Sequence, residues 1–150
     1  MLLFENEFTV RAGIEDVFDF HTDINNLLRI TPKDTSVEIV RADIPLSLGS
    51  KVHLRVKDRA LNSIWKLEIT EFDRPNHFRD KQISGVFRAW QHDHYFESIS
   101  ESETRVKDMV HYDLPLGLIG RVFGKGTAER RLREMFNHRK KMTKQLLEQD

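Results

Sequence analysis

The stretch RAWQHDHYFES, from Arg88 to Ser98, predicts a β-strand with one unusual face. Side chains two apart along a strand point the same way. Four side chains therefore share that face: Trp90, His92, His94 and Phe96. Two histidines between two large aromatic residues make this face more polar than an ordinary core stripe. The stretch thus predicts a strand whose buried face carries a polar inset.

Two neighbouring stretches repeat this two-residue period and each contributes an acid. The following stretch contains Val106, Asp108, Val110 and Tyr112. The preceding stretch contains Phe78, Asp80 and Gln82. If the three stretches pair as consecutive hairpins, His94 faces Asp108 and His92 faces Asp80 across the strands. A carboxylate then lies beside each histidine.

The rest of the chain predicts an α+β fold around this strand. A first strand spans Leu2–Arg11, and helical spacing follows over Ile14–His21 and Ile24–Leu28. Six strands come next, joined by short turns: Val37–Arg41, Lys51–Lys57, Ile64–Phe72, His77–Ser84, Arg88–Ser98 and Thr104–Leu114. Short connections favour an antiparallel meander.

A long C-terminal helix is expected from about Thr127 to Glu148. Its apolar stripe at helical spacing comprises Ala128, Leu132, Met135, Met142 and Leu146. Such a stripe must cover another surface, and the concave face of a sheet is the large one available. Arg139 falls within the stripe. The sequence therefore predicts a seven-stranded curved antiparallel sheet wrapped around this helix, in one domain over 1–150.

Composition narrows the classes of function. The 150 residues suffice for one sizeable core, and the absence of cysteine excludes disulfides, thiolate metal sites and a cysteine nucleophile. Twenty-four Lys and Arg balance twenty-four Asp and Glu, so no net charge concentrates nucleic acid. No apolar run reaches the length of a signal sequence or membrane span. We expect a cytoplasmic protein with no nucleic-acid partner and no integral membrane association.

Four motifs carry a resemblance to known proteins: IEDVFDFHTD at 14–23, FRDKQISGVF at 78–87, WQHDHYF at 90–96, and Asp108 followed by YDLPLG at 112–117. With the order of elements over the whole chain, they resemble the START-like (SRPBCC) superfamily, in its polyketide cyclase/dehydrase and lipid-transport branch. The resemblance implies a helix-grip fold with a ligand cavity between sheet and helix. Relatives bind lipids, sterols, quinones, polyketides or hormones there, and some are cyclases, hydrolases or dehydratases.

The expected partner is a small hydrophobic or amphipathic molecule with some oxygen groups, of lipid, quinone, polyketide or aromatic type. The residues expected to bind it are Trp65, Leu67, Phe78, Gln82, Phe87, Trp90, Phe96, Tyr112 and Arg139. Arg139 has three possible roles: it meets Asp80 or Asp108, it receives a ligand carboxylate, or its stem lies on the core while its head reaches water.

The histidines and acids admit three interpretations. They satisfy one another structurally, since an unpaired polar group in a core costs about 1–3 kcal/mol; or they bind the ligand by hydrogen bonds; or they catalyse. In the enzymatic case, of cyclase or dehydratase type, His94 is the general acid/base, Asp108 orients it, and Asp80 with His92 forms a second pair. Alternate histidines are weak evidence for a metal site, and we expect neither a metal nor a cofactor.

The segment LPLGLIGRVFGKG, residues 114–126, is apolar and holds four glycines. It predicts a loop between the last strand and the long helix, where it could gate the cavity. The alternative is a protein-interaction module that presents Leu118, Ile119 and Phe123 to a partner. The sequence does not identify such a protein partner.

Overall fold

A computed structural model describes residues 1–58, 61–115 and 118–148, without the side chains of 58, 61 and 118–123. The elements in chain order are β1 (Leu2–Val10), α1 (Ile14–Thr22), α2 (Ile24–Arg29), β2 (Thr35–Ala42), β3 (Lys51–Asp58), β4 (Leu61–Asp73), β5 (His77–Ser84), β6 (Ala89–Ser100), β7 (Glu103–Asp113) and α3 (Leu118–Leu147). This confirms the predicted order of one strand, two short helices, six strands and one long helix.

The seven strands form one antiparallel sheet in the order β1-β7-β6-β5-β4-β3-β2. Strands β2 to β7 form a meander, because each pairs with its neighbour in sequence, and β1 closes on β7. Burial alternates strictly along β7, with Val106, Asp108, Val110 and Tyr112 all on the buried side. The period-2 stripe of the sequence is therefore the concave face of the sheet.

Helices α1 and α2 close one end of the concave face. Glu15 and Asp16 lie in the first turn of α1, where the positive end of the helix dipole favours acids. Asp23 ends α1 and caps α2 by accepting a hydrogen bond from the Asn25 backbone N–H at 3.0 Å. Phe18 of α1 is fully buried and meets the Phe78 and Phe96 rings edge-on at 5.9 and 5.6 Å. These contacts fix α1 against β5 and β6.

Helix α3 begins earlier than the sequence predicts. Its backbone is helical from Leu118, so most of the segment 114–126 is not a loop as predicted. A loop was predicted because each glycine costs about 1 kcal/mol in a helix relative to alanine. Tertiary packing can override such preferences. A Cβ placed on Gly124 would lie 3.4 Å from Leu114 Cδ1, so Leu114 packs closely on this turn. The side chains of Leu118, Ile119 and Phe123 lie outside the described residues, and their role as a contact surface stays a prediction.

The buried face of α3 packs on the sheet through Leu132, Phe136 and Thr143. The Phe136 ring lies 5.2 Å from the Phe4 ring on β1 and 5.4 Å from the His92 ring on β6. Helix and sheet thus share one core, which is the helix-grip arrangement predicted from the sequence. Among the helices of the described residues, none is both long and apolar enough for a membrane span.

Replacing Phe136 with alanine should lower the free energy of unfolding by about 3–5 kcal/mol, because the ring is buried and its loss leaves a cavity. Urea unfolding followed by circular dichroism measures this change. The neighbouring Asn137 is exposed, so Asn137→Ala is the matched control and should change the stability by less than about 0.5 kcal/mol. A loss below about 1 kcal/mol in Phe136→Ala would contradict the packing of α3 on the sheet.

Candidate functional site

A cavity of about 130 Å³ lies between the concave sheet, α2 and α3. Its walls are mostly apolar, and they come from β2 and β3 on one side through Val37, Val52 and Leu54. Trp65 and Trp90 line it from β4 and β6, and they are the only two tryptophans of the chain. A smaller cavity of about 60 Å³ lies beside it, nearer β1 and β7.

The polar part of the wall is a cluster of four side chains, Asp80, His92, His94 and Asp108, here called the His–Asp cluster. Both histidines lie on β6, between Asp80 on β5 and Asp108 on β7. His92 Nε2 donates to Asp108 Oδ1 at 2.8 Å, and His94 Nε2 donates to Asp80 Oδ2 at 2.7 Å. Since an ionised carboxylate only accepts hydrogen bonds, both Nε2 atoms carry protons.

These hydrogen bonds differ from the pairs predicted from the sequence. The predicted strand register is confirmed, because His94 lies opposite Asp108 and His92 opposite Asp80. The short bonds nevertheless run diagonally, and the directly opposite pairs are 3.6 Å apart, from Nδ1 to a carboxylate oxygen. Side chains lean along a strand, and diagonal neighbours are within reach of long side chains. Asp80, rather than Asp108, is therefore the acid that orients His94.

Two further donors complete the His–Asp cluster. Trp90 Nε1 donates to Asp80 Oδ1 at 3.1 Å, and Asn6 Nδ2 donates to Asp108 Oδ2 at 3.4 Å. Each of the four carboxylate oxygens thereby accepts one hydrogen bond. No functional role was predicted for Asn6. The signal was present, because Asn6 is the polar residue on the face of β1 that also carries Phe4 and Phe8.

The two imidazole rings also pack as aromatic faces. The His92 and His94 rings stack at 3.6 Å, and Phe78 stacks on His94 at 3.9 Å. On the other side Phe136 meets the edge of His92 at 5.4 Å. The rings are held from both sides, so their nitrogen atoms have fixed directions.

Burial and hydrogen bonding set the charges of the cluster. Burial, together with the charge of His92, lowers the pKa of His94 to about 4, although its hydrogen bond to Asp80 opposes this shift. Burial alone would raise the pKa of Asp108, but the hydrogen bond from His92 and the nearby histidines outweigh it and lower that pKa to about 2. The same balance, led by the bond from His94, holds the pKa of Asp80 below its usual value. At neutral pH both acids are ionised and His94 is neutral.

Arg139 reaches both cavities from α3. Its guanidinium carbon lies 5.2 Å from the Phe136 ring centre, and its Nε is buried with no hydrogen-bond partner. Among the described residues, no carboxylate lies within ion-pair distance of it, so the predicted pairing with Asp80 or Asp108 is not formed. Burial lowers the pKa of Arg139, and the charges of the two acids partly oppose that effect.

The residues predicted to bind a ligand separate into two groups. The main cavity is lined by Trp65, Leu67, Phe78, Trp90 and Arg139. The other four lie elsewhere: Gln82, Phe87, Phe96 and Tyr112. The wall made by β2, β3 and α2 was not predicted. The alternating apolar residues of β3 were a signal for it, namely Val52 and Leu54.

Local contacts explain why these four side chains do not face the cavity. Gln82 accepts from Trp65 Nε1 at 2.8 Å and donates to the Phe87 carbonyl at 2.7 Å, so its amide holds a turn together. Phe87 packs on Trp65 and on Tyr112, at 6.0 and 5.8 Å. Phe96 packs against α1. The four residues therefore lie beside the cavity and do not line it.

Part of the His–Asp cluster has the spacing of a metal site. Asp80, His92 and His94 each offer a ligand atom, and these atoms lie within 4.8 Å of one another. An ion bound by His94 Nε2 would displace the proton that now joins it to Asp80 at 2.7 Å. A second group with such spacing lies on the other face of the sheet: Glu71, His77 and Asp93.

Comparison with known proteins identifies the family of the chain and agrees with its fold. The family model described as Polyketide cyclase / dehydrase and lipid transport matches residues 10–136. A search of curated proteins finds none that matches the chain. Solved structures with a similar fold include a protein of Thermus thermophilus, with 18% identity, a TM-score of 0.73, and coverage of 95% of this chain and 97% of that one.

Two further solved structures share the fold at low identity. A START superfamily protein from Mycobacterium smegmatis has 11% identity and a TM-score of 0.73, with 97% of each chain covered. Norcoclaurine synthase from Thalictrum flavum, solved in complex with dopamine and hydroxybenzaldehyde, has 12% identity and a TM-score of 0.70, with 99% of this chain and 88% of that one covered. These likenesses establish the fold.

The low pKa of His94 should make the protein less stable at mildly acidic pH. In the unfolded chain this pKa returns to 6.5, so between pH 6.5 and 4 the unfolded state binds more protons than the folded state. Stability should fall by about 3 kcal/mol as the pH is lowered through that window, and this contribution should level off below about pH 4. Urea unfolding at a series of pH values measures the slope.

The variant His94→Gln should show a flatter slope over the same window. Part of the slope should persist, because burial also lowers the pKa of His21. Nuclear magnetic resonance of the His94 ring proton gives a direct check. A midpoint at or above 6.5 would show that the ring is not held neutral by the cluster.

Proposed function

Because the chain belongs to the Polyketide cyclase / dehydrase and lipid transport family, we propose that it binds a small, mostly apolar molecule with oxygen groups in the cavity between the sheet and α3. The supporting observation is that apolar walls surround polar atoms that have no protein partner. Arg139 Nε and Thr35 Oγ1 are both buried without a hydrogen bond, and both residues line the main cavity. Such groups are costly unless something satisfies them.

The size of the cavity limits the ligand. An engineered cavity of about 150 Å³ with apolar walls in another protein holds benzene. The main cavity, at about 130 Å³, is of this scale. A single ring with one or two oxygen substituents suits it better than a long acyl chain or several fused rings. The complex of norcoclaurine synthase, a protein of similar fold, contains dopamine and hydroxybenzaldehyde, which are oxygenated single-ring compounds.

The second candidate is an enzyme of cyclase or dehydratase type that uses the His–Asp cluster for proton transfer. The observation in its favour is that His94 and Asp80 are hydrogen-bonded in the cavity wall. A general base works best when its pKa is near the operating pH. The pKa of His94, at about 4, makes it a weak proton acceptor at neutral pH. Ligand binding is therefore the better supported function.

Native mass spectrometry of the freshly purified protein is the direct test of binding. A retained molecule of single-ring size would support the proposal, and its mass would identify the compound class. Titration with acetophenone, followed by tryptophan fluorescence, tests the same cavity because both tryptophans line it.

Filling the cavity should weaken ligand binding. Val37 on β2 lines the main cavity, whereas Val40 on the same strand is 48% exposed. Val37→Phe adds a ring to the cavity and should weaken acetophenone binding at least about tenfold, since the ring occupies space that the ligand needs. The matched control Val40→Phe should bind as the wild type does. Equal binding in the two variants would place the ligand outside this cavity.

A further inference from the structure

Arg139 is a cation whose donors are available to a ligand. Its buried Nε has no partner, and the two acids of the His–Asp cluster already accept hydrogen bonds from other side chains. Its guanidinium packs over the Phe136 ring, 5.2 Å from the ring centre, which limits its movement. A guanidinium is always protonated and only donates, so an oxygen with free lone pairs is the group it would bind.

The charges around Arg139 decide what kind of oxygen that is. Asp80 and Asp108 each contribute one negative charge, Arg139 contributes one positive charge, and His94 is neutral at pH 7. Even with His92 protonated, these charges only cancel. A ligand carboxylate would add an unbalanced negative charge in a buried site, where charges are costly. A neutral acceptor adds none.

We infer that Arg139 selects a neutral carbonyl oxygen, of a single-ring ketone, aldehyde or quinone, over a carboxylate. The inference rests on the proposed function and names the ligand class. It replaces the sequence-based expectation that Arg139 receives a ligand carboxylate. The two ionised acids, which the sequence offered as alternative partners of Arg139, instead make the site unfavourable for a further negative charge.

The position of the carbonyl follows from the shared walls. Arg139 and His94 both line the main cavity and the smaller cavity beside it. The oxygen would therefore lie where the two cavities meet, and the ring would extend between Trp65 and Leu54 in the main cavity. Because His94 is neutral and its Nε2–H is bonded to Asp80, its Nδ1 is an acceptor. A ligand with a hydroxyl beside the carbonyl could use both groups.

Three probes of similar size test this selection by isothermal titration calorimetry at about pH 7.5, where a carboxylic acid is fully ionised. Acetophenone presents a neutral carbonyl, benzoate presents a carboxylate, and ethylbenzene has no polar group. The wild type should bind acetophenone about tenfold more tightly than ethylbenzene, as expected for a hydrogen bond from a charged donor. It should bind benzoate more weakly than acetophenone.

Arg139→Met keeps the apolar length of the side chain and removes its charge. It should lose the preference for acetophenone over ethylbenzene while its affinity for ethylbenzene stays within about threefold of the wild type. A purely structural role would weaken both probes alike. The matched control is Arg131→Met, because Arg131 lies about two turns earlier on α3 and pairs with Asp34 and Glu134 outside the cavity. If Arg139→Met does not fold, Arg139→Leu replaces it, because leucine also lacks a hydrogen-bond donor.

The outcomes separate the inference from the proposed function. Binding of ethylbenzene and acetophenone with equal affinity by the wild type would overturn the inference and leave the proposed function standing. Tighter binding of benzoate than of acetophenone would also overturn it, because the site would then favour an anion. Failure of all three probes to bind would refute the proposed single-ring ligand itself, and the inference with it.

Discussion

Two crossed hydrogen bonds, from His92 to Asp108 and from His94 to Asp80, join three neighbouring strands inside the core. An ionised carboxylate in a core costs several kcal/mol unless donors surround it, and here each carboxylate oxygen accepts one hydrogen bond. A slip of one residue in β6 would turn both histidines to the other face and leave the acids without these donors. The cluster therefore specifies the register of β5, β6 and β7, and the rest of the sheet follows from it.

The same cluster forms a polar part of the walls of both cavities between sheet and helix. Apolar side chains could cover the flat faces of the histidine rings, and Phe78 and Phe136 pack against these rings. The edges of these rings carry the hydrogen bonds of the cluster, from Nε2 of each histidine to a carboxylate oxygen. Arg139, held over Phe136, faces that region without forming an ion pair with a described residue. The His–Asp cluster and the Arg139 cation therefore share the walls of the two cavities.

Strand order and register depend on backbone periodicity and could be predicted from the sequence. Hydrogen bonds that depend on the direction of side chains could not. The strand order, and the register that places His94 opposite Asp108, followed from the alternating pattern and the short turns. The diagonal hydrogen bonds, from His92 to Asp108 and from His94 to Asp80, could not be predicted, because they depend on how the side chains lean along the strand. The isolation of Arg139 was also out of reach, since it depends on the direction of its side chain, which packs over Phe136. The start of α3 was missed because the glycines of this segment have a low helix propensity, although the backbone is helical from Leu118.

The charge state of the cluster bears on whether it binds or reacts. The arrangement that satisfies Asp80 and Asp108 fixes the proton of each histidine on Nε2, away from any position where it would be exchanged readily. The electrostatic effect of the neighbouring His92 ring, together with burial, keeps the pKa of His94 low and so disfavours proton transfer to it. The cavity wall therefore offers the same hydrogen-bonding groups throughout the neutral pH range, an acceptor at His94 and a donor at Arg139. Constant hydrogen-bonding patterns suit recognition, whereas acid/base catalysis needs a group that changes its protonation easily. The protonation states of the cluster therefore support the proposed ligand binding over proton transfer.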